Sequence, residues 1–172
     1  VKTRNQIRHF ERHSRPRVAT LSSASRGDVA DLATRWQEEI QDRQREEAGI
    51  AKALSEVDTT AYTVFAELFG DRCDARNYFG KLLYVRGELV GFTFAGRVST
   101  TGAGLYCSLS LRAFRGSAEY LLMQLLAELT GAGIDRLNMG GSETPGLFAF
   151  KRKFAVTDLR YAEDLEFVGS VP

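Results

Sequence analysis

Residues 105–139 read LYCSLSLRAFRGSAEYLLMQLLAELTGAGIDRLNM, and the change of period along this stretch decides the fold. Leu105 to Leu111 alternates as a strand does. Ala113 to Ser117 is a short loop, and Ala118 to Thr130 is so rich in Leu and Met that, as a helix, it must lie flat on a sheet. Gly131 and Gly133 stop that helix, and Ile134 to Met139 returns as a strand. Two strands joined through a helix that packs on their own sheet are predicted to run parallel.

Upstream, Lys81 to Arg86 and Leu89 to Val98 flank the turn Arg86-Gly87-Glu88, which is hairpin chemistry. A second turn over Ser99 to Gly104 makes Leu105 to Leu111 the third strand of an antiparallel meander. Before the meander, Arg17 to Leu21 reads as a short strand. Ser25 or Asp28 can cap a helix running to about Ala48, with Val29, Leu32, Ala33, Trp36 and Ile40 at helical spacing, and a second helix is expected from Thr59 to Leu68. Downstream, the chain is expected to turn at Gly140, Gly141 and Ser142 into a short helix at about Pro145 to Phe154. Strand-like Asp158 to Tyr161 and Leu165 to Val168 follow. The predicted class is α/β (α+β): a mixed central sheet, mostly antiparallel with one parallel pair, flanked by helices.

The chain has 172 residues, 44% of them hydrophobic and 26% charged, which excludes a disordered tail and suits one globular core. Cys73 and Cys107 form neither a disulfide framework nor a metal-ligand spacing, a pattern that fits a reducing cytosol. No run approaches the length of a membrane span or the apolar core of an export signal. A cytoplasmic location is therefore expected. The net charge of +1 hides an uneven distribution: residues 1–17 hold six Lys and Arg against Glu11, or +5, and the rest of the chain carries −4. Arg4, Arg8 and Arg12 stack along one helical face with Arg15 beyond them, and Lys151, Arg152 and Lys153 form a second cluster. Such faces suit phosphate-rich partners, and they equally describe an ordinary solvated helix. His9 and His13 are one turn apart, but no third ligand lies near and the flanking cations oppose a metal, so none is expected.

The order of elements resembles the GNAT acyltransferase fold, carried by Lys81 to Phe154. Within that superfamily the segment LLMQLLAELTGAGIDRLNMGGSETPGLFAFKRKF, residues 121–154, is similar to the FemABX-like and lysyl-phosphatidylglycerol-synthase-like branch: helix, Gly, a strand ending in Gly-Gly, then Gly-Leu and Phe-Lys. The opening KTRNQIRHFERH looks like the helical lead-in between the halves of such tandem proteins. The resemblance implies a basic lead-in over residues 1–17 and a single GNAT-like domain over 18–172, the second half of a tandem protein or one that dimerises. From Val18 to Gly80 the likeness is architectural only.

The family implies transfer of an acyl group from a thioester or ester to an amine, and four groups of residues are candidates for that chemistry. Arg115, Gly116, Ser117 and Ala118 lead into a helix N-terminus, where unpaired N–H groups suit a phosphate. The acetyl-CoA-binding pattern, Arg or Gln, two residues, Gly, one residue, Gly or Ala, is met at Gly116 and Ala118, but its first position is Ala113, with Arg112 displaced by one. An ordinary strand-to-helix turn is the alternative. The fold implies splayed parallel strands that free main-chain amides for an oxyanion, with Ser108 and Leu109 as candidates. Gly140, Gly141 and Ser142 allow close approach to a ligand, and Glu143 can accept a proton from the attacking amine, or Ser142 and Glu143 simply cap the next helix. At Phe150, where GNAT enzymes often carry a Tyr acid, no proton can be donated. Lys151 can do so, with Arg152 and Lys153 beside it for phosphate. Cys107, in mid-strand, reads as a core residue or a wall of the substrate cleft, Tyr161 as a packed residue or one that reaches the cleft, and Trp36, Tyr106 and Tyr120 as packing residues.

These residues support a first reading as an aminoacyltransferase, moving an aminoacyl group from aminoacyl-tRNA to the amine of a small molecule or peptide, with Arg4, Arg8, Arg12, Arg15, Arg152 and Lys153 on the tRNA phosphates. Acetyl-CoA or another acyl-CoA is the alternative donor, and no tightly bound cofactor is expected. A catalytically silent module that binds RNA or a partner protein is the third reading.

Overall fold

The computed structural model describes residues 2–22, 26–48, 77–140 and 145–154. Its elements, in chain order, are α1 (Lys2–Ser14), β1 (Arg17–Thr20), α2 (Arg26–Ala48), β2 (Tyr78–Val85), β3 (Glu88–Arg97), β4 (Gly102–Ser110), α3 (Ser117–Gly131), β5 (Arg136–Asn138) and α4 (Pro145–Lys151), which ends in a 3-10 turn at Arg152–Phe154. The helix expected at Thr59 to Leu68, and the strands expected at Asp158 to Tyr161 and Leu165 to Val168, lie outside the described residues. Two compact units divide after Asn138: Val1–Asn138, which holds the whole described sheet, and Met139–Pro172.

The sheet has the order β1-β2-β3-β4-β5, antiparallel throughout except for the β4–β5 pair, which is parallel as the intervening helix requires. The β2–β3 hairpin turns at Arg86 and Gly87, both with positive φ (54° and 86°), the conformation of a two-residue type I′ turn, so Val85 pairs directly with Glu88. β4 begins at Gly102, three residues before the strand expected from the sequence. Gly102 and Gly104 have no side chains to show alternation, yet Val98 and Ser99 both donate their N–H to Gly102 O and close a tight turn there. β5 is correspondingly shorter than expected. Ile134 N–H is spent on Leu129 O, closing the end of α3, and Asp135 and Arg136 both donate to Thr101 O.

α3 lies on one face of the sheet, where a Cβ on Gly91 would come within 3.3 Å of Leu121 Cδ2. Lys81, Thr93 and Ser108 share that face as cross-strand neighbours, and Lys81 Nζ donates to Glu128 Oε1 of α3 at 3.0 Å. Leu121, Leu122, Leu125 and Leu129 turn one side of α3 inward, while α2 adds Val29, Leu32 and Ala33 to the core. The basic first helix is part of the same unit. Phe10 is only 2% exposed, its ring centroid 5.5 Å from that of Tyr120.

The contact between α1 and α3 depends on Gly116, which precedes α3 with φ 93°. A Cβ there would stand 2.8 Å from Gln6 O and 3.1 Å from Phe10 Cβ. Gly131, the last residue of α3, has nothing within 4 Å of a built Cβ and no positive φ. Gly116→Ala is therefore expected to destabilise the protein by about 2 kcal/mol or more, since strain and a backbone collision add. Gly131→Ala is expected to stabilise it by up to about 1 kcal/mol. Urea unfolding of the two variants, read against the unsubstituted chain, checks both signs.

Candidate active site

β4 and β5 pair only at Gly102–Arg136, Ala103–Leu137 and Gly104–Asn138. Beyond Gly104, β4 continues for six residues to Ser110 with β3 on one side and, among the described residues, no strand on the other. The parting coincides with a β-bulge. Phe94 pairs with Cys107 and Ala95 with Leu105, so Tyr106 is an extra residue that the register skips. The sequence reads Tyr106 as a packing residue, but it is 45% exposed, its ring 5.7 Å from Phe94 and lying where a Cβ on Gly96 would collide with it. No residue pattern marks a bulge of this kind. Its only trace is that the glycines at 96 and 104 leave room for a ring.

The bulge and the ladder together decide which amides face the opened edge. Leu111 N–H donates to Val90 O at 2.9 Å, and Leu109 lies opposite Phe92 two residues earlier. In an antiparallel ladder the donors alternate, so Leu109 N–H is spent on β3 while Ser108 and Ser110 N–H point away from it. Of the two amides expected to be available for an oxyanion, Ser108 N–H points away from β3 and Leu109 N–H is bonded to it. Ser110 N–H points the same way as that of Ser108, and the Ser110 side-chain Oγ is 3.2 Å from Ser117 Oγ at the start of α3. Of the two readings of Cys107, core residue or cleft wall, the structure gives the first: it is 6% exposed within the core, and burial pushes its thiol far above the ordinary value.

The expected phosphate loop is only partly open. Gly116 is buried beneath α1, and Ser117 is 2% exposed with its N–H on Phe114 O. Glu119, in the first turn of α3, is buried as well. Arg112, Ala113 and Arg115 are exposed, and Ala118 is half-buried. The first two loop amides already hold an anion. Glu39 Oε2 of α2 accepts Arg112 N–H at 2.8 Å, and the Glu39 carboxylate accepts Ala113 N–H too. Nothing in the sequence separates Glu39 from the other charged residues of that helix, because its partners lie 73 residues away.

In the second unit, Lys151 Nζ donates to Gly140 O at 3.1 Å, so it ties its own helix to the turn before it. Gly140 has φ 70°, a conformation that favours glycine. Phe150 sits edge-on to Phe154, Lys153 Nζ lies 5.2 Å from the Phe150 ring centroid, and the Arg152 guanidinium is 5.7 Å from that of Phe148. Gly141, Ser142, Glu143 and Tyr161 lie outside the described residues. Arg4, Arg8, Arg12 and Arg15 are exposed on α1 and its C-terminal end, and no carboxylate among the described residues pairs with them. His9 and His13 stack at 4.0 Å, and no group of three metal-ligating side chains occurs among the described residues. Nor is any described helix long and apolar enough to cross a membrane.

A meander, a bulged fourth strand and a parallel pair that parts after three residues define the class: this is the fold of the GNAT acyltransferases. No family model and no curated protein matches the chain, but solved structures share its fold. It is similar to a conserved protein of unknown function from Bacteroides thetaiotaomicron VPI-5482, at TM-score 0.69 and 17% identity over 92% of this chain; the chain spans 50% of that protein's length. It is also similar to a ribosomal-protein-alanine N-acetyltransferase from Brucella melitensis biovar Abortus 2308, at TM-score 0.57 and 16% identity, covering 88% of this chain and 99% of that one. A third is an aminoglycoside acetyltransferase from an uncultured soil metagenomic sample, solved in complex with sisomicin, at TM-score 0.61 and 13% identity, covering 95% of this chain and 99% of that one.

Two outcomes follow from the buried groups. Cys107 is expected to resist iodoacetamide in the folded protein and to react once urea exposes it, as peptide mass spectrometry at about pH 8 would show. For Glu39, burial pushes the carboxyl above its ordinary value, against the opposing pull of the Ala113 N–H and of Arg35. An acid with a raised folded pKa favours the fold most while protonated, and loses that contribution as the pH rises through that pKa. Glu39→Gln has no proton to lose. Its stability relative to the unsubstituted chain is expected to improve between about pH 4 and about pH 7, measured as urea midpoints.

Proposed function

We propose that this chain is an N-acyltransferase domain that takes its acyl group from an acyl-CoA thioester and passes it to an amine. The observation that carries this reading is the edge of β4 beyond Gly104, where Ser108 and Ser110 turn main-chain N–H groups away from β3 beside a bulge and no strand among the described residues pairs with them. An acyl carbonyl laid against that edge gains a preorganised donor where charge develops during attack. The amine adds to the carbonyl carbon, its oxygen becomes an oxyanion held by Ser108 N–H, and collapse of the tetrahedral intermediate expels the thiolate. The amine loses a proton and the thiolate gains one. From the sequence, Glu143 is the candidate for the first transfer and Lys151 for the second. The acetyltransferase activities named for the structures of similar fold support the acyl-CoA donor.

A second reading, aminoacyl transfer from tRNA, is favoured by one feature of its own. The apolar side of α1 is consumed at Phe10 while Arg4, Arg8 and Arg12 face solvent, a preformed basic edge with the spacing of one helical turn. The half-length match to the Bacteroides protein supports placing the chain as one half of a two-domain enzyme.

Incubation with acetyl-CoA and a panel of primary amines, with thiol release followed by a thiol reagent and products by mass spectrometry, tests the first reading. Turnover without RNA supports it. Product formed only from charged tRNA, and abolished by ribonuclease, overturns it in favour of the second. Within the active protein, Ser108→Ala is expected to leave kcat within a few-fold, because the donor is the main chain. Ser108→Pro removes that N–H, which makes none of the hydrogen bonds to β3, and is expected to lower kcat by about 100-fold, with the fold checked by circular dichroism.

A further inference from the structure

α2 carries Arg35 and Glu39 one turn apart on the same face. The Arg35 guanidinium binds the Glu88 carboxylate and Leu89 O at the start of β3. Glu39 binds the amides of Arg112 and Ala113 just after β4. Leu111, the residue before them, is tied to Val90 O. The loop from β4 to α3 is therefore pinned at its root from two elements, and it spends most of its own backbone donors: Phe114 N–H goes to Leu111 O and Ser117 N–H to Phe114 O. Gly116 and Ser117 are buried. What this loop offers to solvent is chiefly the two exposed arginines, Arg112 and Arg115.

We infer that the side chains of Arg112 and Arg115 grip the phosphates of the donor, that the main-chain amides of Arg112 and Ala113 take no part in this, and that Glu39 is the positioning residue that sets the grip. The inference rests on the acyl-CoA reading above. By occupying the amides of Arg112 and Ala113, Glu39 fixes the backbone from which the Arg112 side chain leaves, and closes those two donors to any phosphate. Its role lies in the hydrogen bonds and not in its charge, since a carboxylate beside a phosphate site repels the ligand. Glutamine at position 39 keeps a carbonyl acceptor and removes the negative charge, whereas alanine removes both.

The test is calorimetric binding of coenzyme A to the full chain and its variants, with the KM for acetyl-CoA and kcat measured alongside. Glu39→Ala is expected to weaken coenzyme A binding at least tenfold and to raise KM by more than it lowers kcat. Glu39→Gln is expected to bind coenzyme A as tightly as the unsubstituted chain or more tightly. Arg112→Ala combined with Arg115→Ala is expected to weaken binding about 100-fold and to flatten its salt dependence. Amide hydrogen exchange at Arg112 and Ala113 is expected to accelerate at least tenfold in Glu39→Ala and not in Glu39→Gln. If the arginine pair can be removed with less than a threefold loss of affinity, the side-chain grip is wrong. If Glu39→Ala accelerates exchange yet binds coenzyme A within twofold of the unsubstituted chain, Glu39 only braces the fold and its positioning role is overturned. Failure of the unsubstituted chain itself to bind coenzyme A overturns the acyl-CoA reading and the inference with it, and is told apart from the other failures by that control. Should Glu39→Ala not fold, Glu39→Gln binding coenzyme A tenfold more weakly would sink the proposal by itself.

Discussion

Three residues of β4 pair with three of β5, and from Leu105 onward β3 is the only strand beside β4 among the described residues. The rest of the candidate site depends on this early parting. A strand paired on both sides would spend every N–H within the sheet, and one that closes after Gly104 does not. The bulge at Tyr106 sits at the point of parting, where an extra residue increases local twist and bends the strand. Ser108 and Ser110 N–H point away from β3 by the alternation of the ladder, and Leu109 N–H is bonded by the same alternation.

The second constraint is steric. α1 packs its backbone against Gly116, a position where only glycine meets both the φ and the space, and this covers the first turn of α3. The turn expected to bind phosphate is thus partly used for holding α1. Glu39 consumes two more donors from the other side of the loop. Both contacts occupy or cover the main chain of this loop, and the long, charged side chains of Arg112 and Arg115 are left exposed beside it. The same packing leaves the arginines of α1 on its outer side, so the uneven charge of the sequence becomes one exposed basic edge.

Much of the fold was legible in local pattern. The Arg86-Gly87 turn, the stopping glycines of α3 and the Leu-rich face of α3 each depend on residues within a few positions of one another, and each lies where the sequence predicts it. The parallel pair was legible too, since connecting two strands through a packed helix leaves little topological choice. Less was legible at strand ends made of glycine, as at Gly102 and Gly104, where no side chains exist to reveal a period.

By itself, then, the sequence determined the order of elements, the sheet-facing side of α3 and the position of the positive charge, because these follow from periodicity and short-range chemistry. Tertiary structure alone decided between core and cleft for Cys107, and alone showed that Leu109 N–H is bonded, that Tyr106 is a bulged and exposed residue, and that Glu39 meets a loop 73 positions away. Each of these is a matter of register or of contact between distant segments. A shift of one residue in a ladder exchanges every bonded amide for an available one, and no local pattern of side chains records that shift.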